Sequence, residues 1–210
     1  APVHTGMSGA AVYRVTAAGQ PERYLKIARG RGADALRQEI ARTSWLGARG
    51  VRVPAVLQTG DSGRTVALLM GAVTGTSADA GALPAGRIAE AAGRALAALH
   101  ALPAADCPFD ETLAVRLARA RRAVAAGEID AGEFDSRNRR LSPAALLRRL
   151  MAEPPEEDLV VVHGDATLAN ILVADDLSAG FVDCGHAGRA DRYLDLGVAA
   201  ADIGAHLGGR

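Results

Sequence analysis

The chain has 210 residues, 49% of them apolar and 23% charged, with a mean hydropathy of +0.09. That composition can bury a core and excludes a disordered tail, and no apolar run reaches the roughly 18 residues of a membrane-spanning helix. Twenty-four basic residues balance 24 acidic ones, which argues against general affinity for nucleic acid.

The N-terminus, "APVHTGMSGA", carries neither the basic nor the apolar region of a secretory signal. Residues 10–17 and 22–28 alternate as strands on either side of the turn "AAGQP". The second of these strands contains Lys26, the only lysine, since every other basic residue is an arginine. A chain that uses Arg everywhere else has placed its one compact ammonium here. Residues 33–48 read as a helix with Leu36, Ile40, Thr43 and Gly47 in one row, and Glu39 lies on it. "AVLQTG" and "TVALLM" form a hairpin around "DSG". The Gly- and Ala-rich stretch that follows Met70 marks a change of pattern, so residues 1–71 are expected to form one lobe and 72–210 another.

The second lobe is mostly helical. Pro84 suits a first helical turn, and Ile88, Ala92, Leu96 and Leu99 share a face up to His100. Residues 111–126 form an Arg-rich helix, and Ser142 with Pro143 starts another. Short strands "LVVV" and "GFVD" flank a polar interruption, and "YLDLGVAAADIGAHLG" closes the chain as a helix. Strands with one helix followed by helices around a short hairpin make an α+β fold in two lobes. Cys107 and Cys184 form neither a disulfide framework nor a zinc site and read as small core residues of a reducing, cytoplasmic protein.

The polar interruption carries the chemistry. In "VVHGDATLANILV" a hydrophobic strand runs into His163, Gly164 and Asp165, with Asn170 just before the apolar pattern resumes. Asp183 follows "GFV" and precedes "CG". An Asp that can accept a hydroxyl proton, beside an Asn and a second Asp offering hard oxygens, is what Mg²⁺-assisted phosphoryl transfer requires. The arrangement parallels the kinase catalytic loop and its metal-binding Asp-Phe-Gly turn. Each residue alone could simply cap a turn or end a strand; the three together point to a site. His163 reads as a structural residue of the loop. Lys26 on a strand with Glu39 on the next helix matches the pair kinases use on the α- and β-phosphates. "GMSGAAV" could present Ser8 and backbone N–H groups to phosphate, and the backbone from Gly71 to Val73 lies where an adenine would be bound between lobes.

At these residues the chain resembles the aminoglycoside phosphotransferases, chiefly the 3′-phosphotransferases of the neomycin and kanamycin type, with the streptomycin 3″-enzymes near. The likeness runs through "GMSGAAVYR", "YLKIA", "EIARTSWL", "LLMGAVTG", "CPFD", "LVVVHGDATLANILV", "GFVDCG" and "ADRYLDLG". It implies a protein-kinase-like fold, a small β-rich N-terminal lobe, a mostly helical C-terminal lobe, and the use of ATP with Mg²⁺. Asp165 would be the catalytic base, Asn170 and Asp183 the metal ligands, Lys26 with Glu39 the phosphate clamp, and Ser8 a β-phosphate contact.

The acidic loop "GEIDAGEFD" would meet a polycationic drug, with Glu133 and Asp135 best placed for it. Three departures stand out. His186 replaces an Arg usual after "DCG", Ala205 and His206 replace acidic positions, and the family continues past the closing helix where this chain ends at Arg210. That leaves the C-terminal lobe either incomplete or diverged toward a more open pocket. The function implied is phosphorylation of an aminoglycoside hydroxyl, the 3′-hydroxyl first. A streptomycin 3″-kinase, another small-molecule kinase, and a nucleotide-binding module without turnover stay open. The Arg-rich "RLARARR" leaves a nucleic-acid role as a distant alternative, with scarce aromatics for stacking on bases.

Overall fold

The computed structural model describes residues 2–3, 10–80, 83–134, 138–152 and 154–207. Its first part is an antiparallel sheet of β1 (Pro2–Val3), β2 (Ala11–Val15), β3 (Arg23–Arg29), β4 (Val56–Asp61) and β5 (Thr65–Gly71), in the order β1-β2-β3-β5-β4. β3 pairs with β2 on one side and β5 on the other, so Lys26 stands opposite Val12 and Leu68 in mid-sheet. Helix α1 (Arg31–Gly47) covers one face and joins Ala33 and Leu36 to Ala28, Val66 and Leu68 in a small core.

The buried row of α1 is Ala33, Leu36, Glu39, Arg42, Thr43 and Leu46. The row expected from apolar spacing is therefore rotated. Leu36 and Thr43 are inside, Ile40 is half-buried, and Gly47 is exposed. The reason is that two charged residues occupy inward positions, which an apolar pattern skips.

The rest is helix-rich. After β6 (Thr76–Ser77) come α2 (Ala85–His100), α3 (Leu113–Ala125) and α4 (Pro143–Ala152). Pro84 is the residue that caps α2 rather than its first helical residue. Ser142 Oγ accepts the Ala145 N–H at 3.2 Å, the expected cap of α4. Ile88, Ala92, Leu96 and Leu99 of α2 are all buried. They pack with Leu46, Val161, Leu168, Ile171 and Phe181 in the larger core, each large side chain contributing about 1.5–3 kcal/mol when fully buried.

The chain then lays down β7 (Leu159–Val162), β8 (Ile171–Val173), β9 (Ala179–Phe181), β10 (Gly188–Asp191) and α5 (Tyr193–Leu207). The stretch that reads as one broken strand belongs to two sheets. β7 pairs with β10, whereas β8 pairs with β9 and β6. The polar residues 163–170 are thus the crossing between two ladders. Among the described residues no helix is long and apolar enough to cross a membrane, and Cys107 and Cys184 are buried and unbridged.

Candidate active site

The crossing between β7 and β8 needs its own supports, because its backbone leaves one ladder before entering the next. Asp195, in the first turn of α5 and fully buried, supplies them. Its two oxygens accept the N–H groups of His163 and Gly164, both at 2.8 Å, and His100 Nε2 lies 3.1 Å from one of them. Further along, the Leu168 N–H donates to Asp202 at 2.7 Å. His163 is fully buried, stacks on Phe181, and donates from Nε2 to the Val182 carbonyl at 2.9 Å. It ties the crossing to the end of β9, the structural part expected of it.

Gly164 is required by a close approach. Its φ is +83°, and a Cβ there would come within 2.3 Å of the His186 carbonyl oxygen. Any side chain would push the crossing away from the turn that follows Asp183.

Asp165 and Asn170 come together directly. Asn170 Nδ2 donates to Asp165 Oδ2 at 2.9 Å and to the Asp165 carbonyl at 3.0 Å. The Asn170 carbonyl in turn accepts the Val182 N–H at 3.0 Å, which sets Asp165 and Asn170 beside the chain that leads into Asp183. Asp183 has left-handed backbone angles, φ 55° and ψ 50°, a conformation that short polar side chains tolerate better than most. The short 3₁₀ turn Cys184–His186 follows it.

Lys26 joins the lobes. Its Nζ lies 2.8 Å from Glu39 Oε2 and 2.7 Å from Asp183 Oδ1. Burial alone would pull the ammonium pKa down, but Glu39 and Asp183 outweigh it and raise it. Burial pushes Glu39 up, and the nearby Asp183 adds to this, against the pull of Lys26. The sole lysine therefore stays charged, shared by two carboxylates. The Cys184 thiol, sealed beneath the turn, is pushed up to about 12 by burial and nearby carboxylates and is no nucleophile.

The remaining expected residues fall as follows. The Gly71 N–H is spent on the Ala55 carbonyl at 2.9 Å, and the Ala72 N–H on that of Glu22 at 3.2 Å. An adenine reading this backbone would have to use its carbonyls or the N–H of Val73 rather than the N–H groups of Gly71 and Ala72. Val73 packs over Gly180 of β9, where its Cγ1 and the Arg52 carbonyl would each be 2.8 Å from an added Cβ. Ser8 and Asp135 lie outside the described residues, as does the side chain of Glu133, whose backbone forms the 3₁₀ turn Ala131–Glu133. On the same loop Glu128 pairs with Arg31 at 3.2 Å, and Asp130 accepts the Gly132 N–H. Ala205 is exposed near the end of α5; the side chain of His206 is outside the described residues.

Sequence reasoning missed Asp195, Arg42 and Glu111. Asp195 carried a signal, a carboxylate between Leu194 and Leu196 in an apolar helix that holds only one other, Asp202. Glu111 carried none. It is fully buried in the loop before α3, where Arg42 Nη2 reaches it at 2.6 Å and Arg119 Nη1 at 3.0 Å.

The profile of the family described as "Phosphotransferase enzyme family" matches residues 1–210. The aminoglycoside 3′-phosphotransferase of Streptomyces fradiae is 36% identical over 212 residues, covering 96% of this chain and 79% of that protein. The streptomycin 3″-kinase of Streptomyces griseus is also 36% identical, over 95% of this chain and 76% of that one. Aminoglycoside phosphotransferase APH(3″)-Id from Streptomyces rimosus superposes with a TM-score of 0.86 at 33% identity, covering 99% of this chain and 78% of that structure. Its complex with ADP and streptomycin superposes with a TM-score of 0.80. The kinase-like arrangement of sheet and helices, its short polar crossing and these likenesses agree: this chain belongs to the aminoglycoside phosphotransferases of the phosphotransferase enzyme family.

Proposed function

We propose that this protein transfers the γ-phosphoryl group of ATP to a hydroxyl of an aminoglycoside, the 3′-hydroxyl first, and so inactivates the drug and confers resistance in the cytoplasm. The observation that carries the reading is Lys26, an ammonium held between Glu39 of the first lobe and Asp183 of the second. Asp165 and Asn170 lie hydrogen-bonded beside the segment that leads from β9 into Asp183.

Each residue has a defined part. Lys26 meets the nucleotide phosphates, with Glu39 fixing its position. Asp165 orients the acceptor hydroxyl and takes its proton as the new O–P bond forms, while Asn170 Nδ2 keeps the carboxylate in place. The donor set suits Mg²⁺. Asp183 has one oxygen on Lys26 and a side chain that is half-exposed, and Asn170 spends its side-chain nitrogen on Asp165, which leaves the side-chain oxygen Oδ1 to meet the ion. Among the described residues no three His, Cys, Asp or Glu side chains form a cage. Mg²⁺ typically takes only one or two protein oxygens beside phosphate and water. When bound, the ion would neutralise charge on the transferring phosphate. The product gains about −1.5 to −2 charge, which weakens a polycation's attraction to RNA. Glu133 and Asp135 are the residues assigned to the drug's ammonium groups, and Ser8 to the β-phosphate.

A second reading, the 3″-hydroxyl of streptomycin, is favoured by the 36% identity to the streptomycin 3″-kinase, equal to that of the 3′-enzyme. Coupled ADP release with kanamycin, neomycin and streptomycin separates the two. The Asp165→Ala variant should lose about 10²–10⁴-fold in turnover, the worth of a positioned base, with nucleotide affinity kept. ATP binding without drug-dependent ADP release would leave a nucleotide-binding module instead, and undiminished turnover in Asp165→Ala would remove that residue from its role.

A further inference from the structure

Asp183 has to be aimed, yet little in its own segment aims it. Its left-handed backbone is an uncommon state that lasts only where surroundings enforce it. The turn after it closes with a single internal bond, Ala187 N–H to the Cys184 carbonyl at 3.1 Å. The enforcement comes from helix α1. Within little more than one helical turn, α1 presents Glu39, Arg42 and Thr43 to this segment. Glu39 acts through Lys26 on Asp183, Arg42 Nη1 donates to the carbonyl of Gly185, and Thr43 is buried on the same row of the helix.

Arg42 is itself fixed from the far side. Its second amino group meets Glu111 Oε1 at 2.6 Å, and its guanidinium lies 5.5 Å from the centre of the Phe109 ring. Arg119 binds both oxygens of Glu111, at 3.0 and 3.2 Å, and Arg116 lies 3.8 Å from it. The Glu111 N–H donates to the Arg189 carbonyl, which anchors the cluster to β10. One planar guanidinium thus spans from the core of the second lobe to the turn two residues beyond Asp183. Under the reading proposed above, nucleotide phosphates compete for Lys26. The Arg42 bridge is independent of that lysine.

We infer that Arg42 is a positioning residue for the metal–nucleotide site, holding the Gly185 carbonyl so that Asp183 presents its free oxygen to a divalent ion bound with ATP. The inference rests on the assignment of Asp183 to that ion. A lysine in place of Arg42 keeps the charge but cannot reach Gly185 and Glu111 together, because the planar fork is lost.

The test is calorimetric titration of the whole protein with ATP, with and without Mg²⁺, on wild type, Arg42→Lys and Glu111→Gln. Folding is checked by thermal melting. The gain in ATP affinity on adding Mg²⁺ should fall about 10- to 100-fold in Arg42→Lys, the usual effect of losing a group that orients a metal ligand, with metal-free ATP affinity unchanged. Glu111→Gln keeps Arg42 and removes only the charge that holds it, so it should move the same way by less. Should Arg42→Lys fail to fold, Glu111→Gln decides the matter. A Mg²⁺ gain equal to wild type in a folded variant overturns the inference, as does a wild type whose ATP affinity ignores Mg²⁺. Wild type that binds Mg·ATP but releases no ADP with any aminoglycoside defeats the proposed function alone, since the Arg42 comparison is still read from binding.

Discussion

Helix α1 carries two arginines, five residues apart, that make the same contacts in opposite settings. On its outer face Arg37 forks onto Asp61 at 2.7 and 2.8 Å and reaches the Gly63 carbonyl at 2.6 Å. On its inner face Arg42 reaches Glu111 at 2.6 Å and the Gly185 carbonyl. Each ties a carboxylate and a glycine turn to the helix, so distance alone would rank them equal. Their side chains are 34% and 7% exposed. Water screens the outer fork and offers its groups substitute partners, whereas the inner one has no solvent to fall back on. The outer fork therefore trims a surface hairpin, and the inner face of the helix sets the cleft.

The comparison breaks most visibly at Lys26, the inner ammonium. Lys26→Ala leaves Glu39 buried without its cation, at a cost of about 3–5 kcal/mol, and should raise the Michaelis constant for ATP. The double variant Lys26→Met, Glu39→Leu removes both charges and should recover most of the urea-unfolding free energy without recovering ATP use. Full recovery of both would mean the pair is structural, and a single variant as stable as wild type would mean inner and outer charges are equivalent.

The helix also explains what the sequence could and could not reveal. Lys26, Asp165, Asn170 and Asp183 were legible because each stands out locally, as a lone lysine or as a polar break in or after an apolar run, whereas Glu39 was reachable only as a partner for Lys26 on the next helix. The inward row of α1 was misjudged because Glu39 and Arg42 occupy it. An apolar period is blind to a buried ion whose partners sit far along the chain, and Glu111 is 69 residues from Arg42. Asp195 shows in the sequence as a carboxylate in an apolar helix, but its role was hidden for a related reason. Its work is to accept backbone N–H groups 31 and 32 residues upstream, and backbone donors leave no trace in residue identity. The split of residues 159–173 between two sheets could not be read either, since both halves have the same apolar composition and only the pairing with β10 or β9 distinguishes them.

Acid should separate the two forks. Burial alone would raise the Glu111 carboxyl, but Arg119 and Arg42 outweigh it and hold it below its ordinary 4.5. Arg37 and the Gly63 N–H hold Asp61 at about 2, below its ordinary 3.8. In both cases the folded pKa is depressed, so the stability each adds is complete above the unfolded value. It is lost as pH falls, from 4.5 downward for Glu111 and from 3.8 to about 2 for Asp61. Urea unfolding across that range should show a loss below 4.5 that Glu111→Gln removes. The Glu111 part should persist in roughly 1 M salt, where the Debye length is about 3 Å. A Glu111 contribution that vanished in salt would place it with the surface pairs.

The smallest effect belongs to the outer fork. Asp61→Asn removes the charge Arg37 binds but leaves an amide oxygen to accept one N–H, and Asp34 still meets Arg37 at 2.6 Å. The melting temperature at neutral pH should stay within the scatter of ordinary surface substitutions, and whatever small difference exists should shrink as salt rises. ADP release should be unchanged, because Asp61 ends β4 at the hairpin, on the face of α1 turned away from Asp183. A loss of turnover in Asp61→Asn would show that the hairpin orients α1 as a whole. The inner and outer arginines would then be two ends of one lever rather than separate devices.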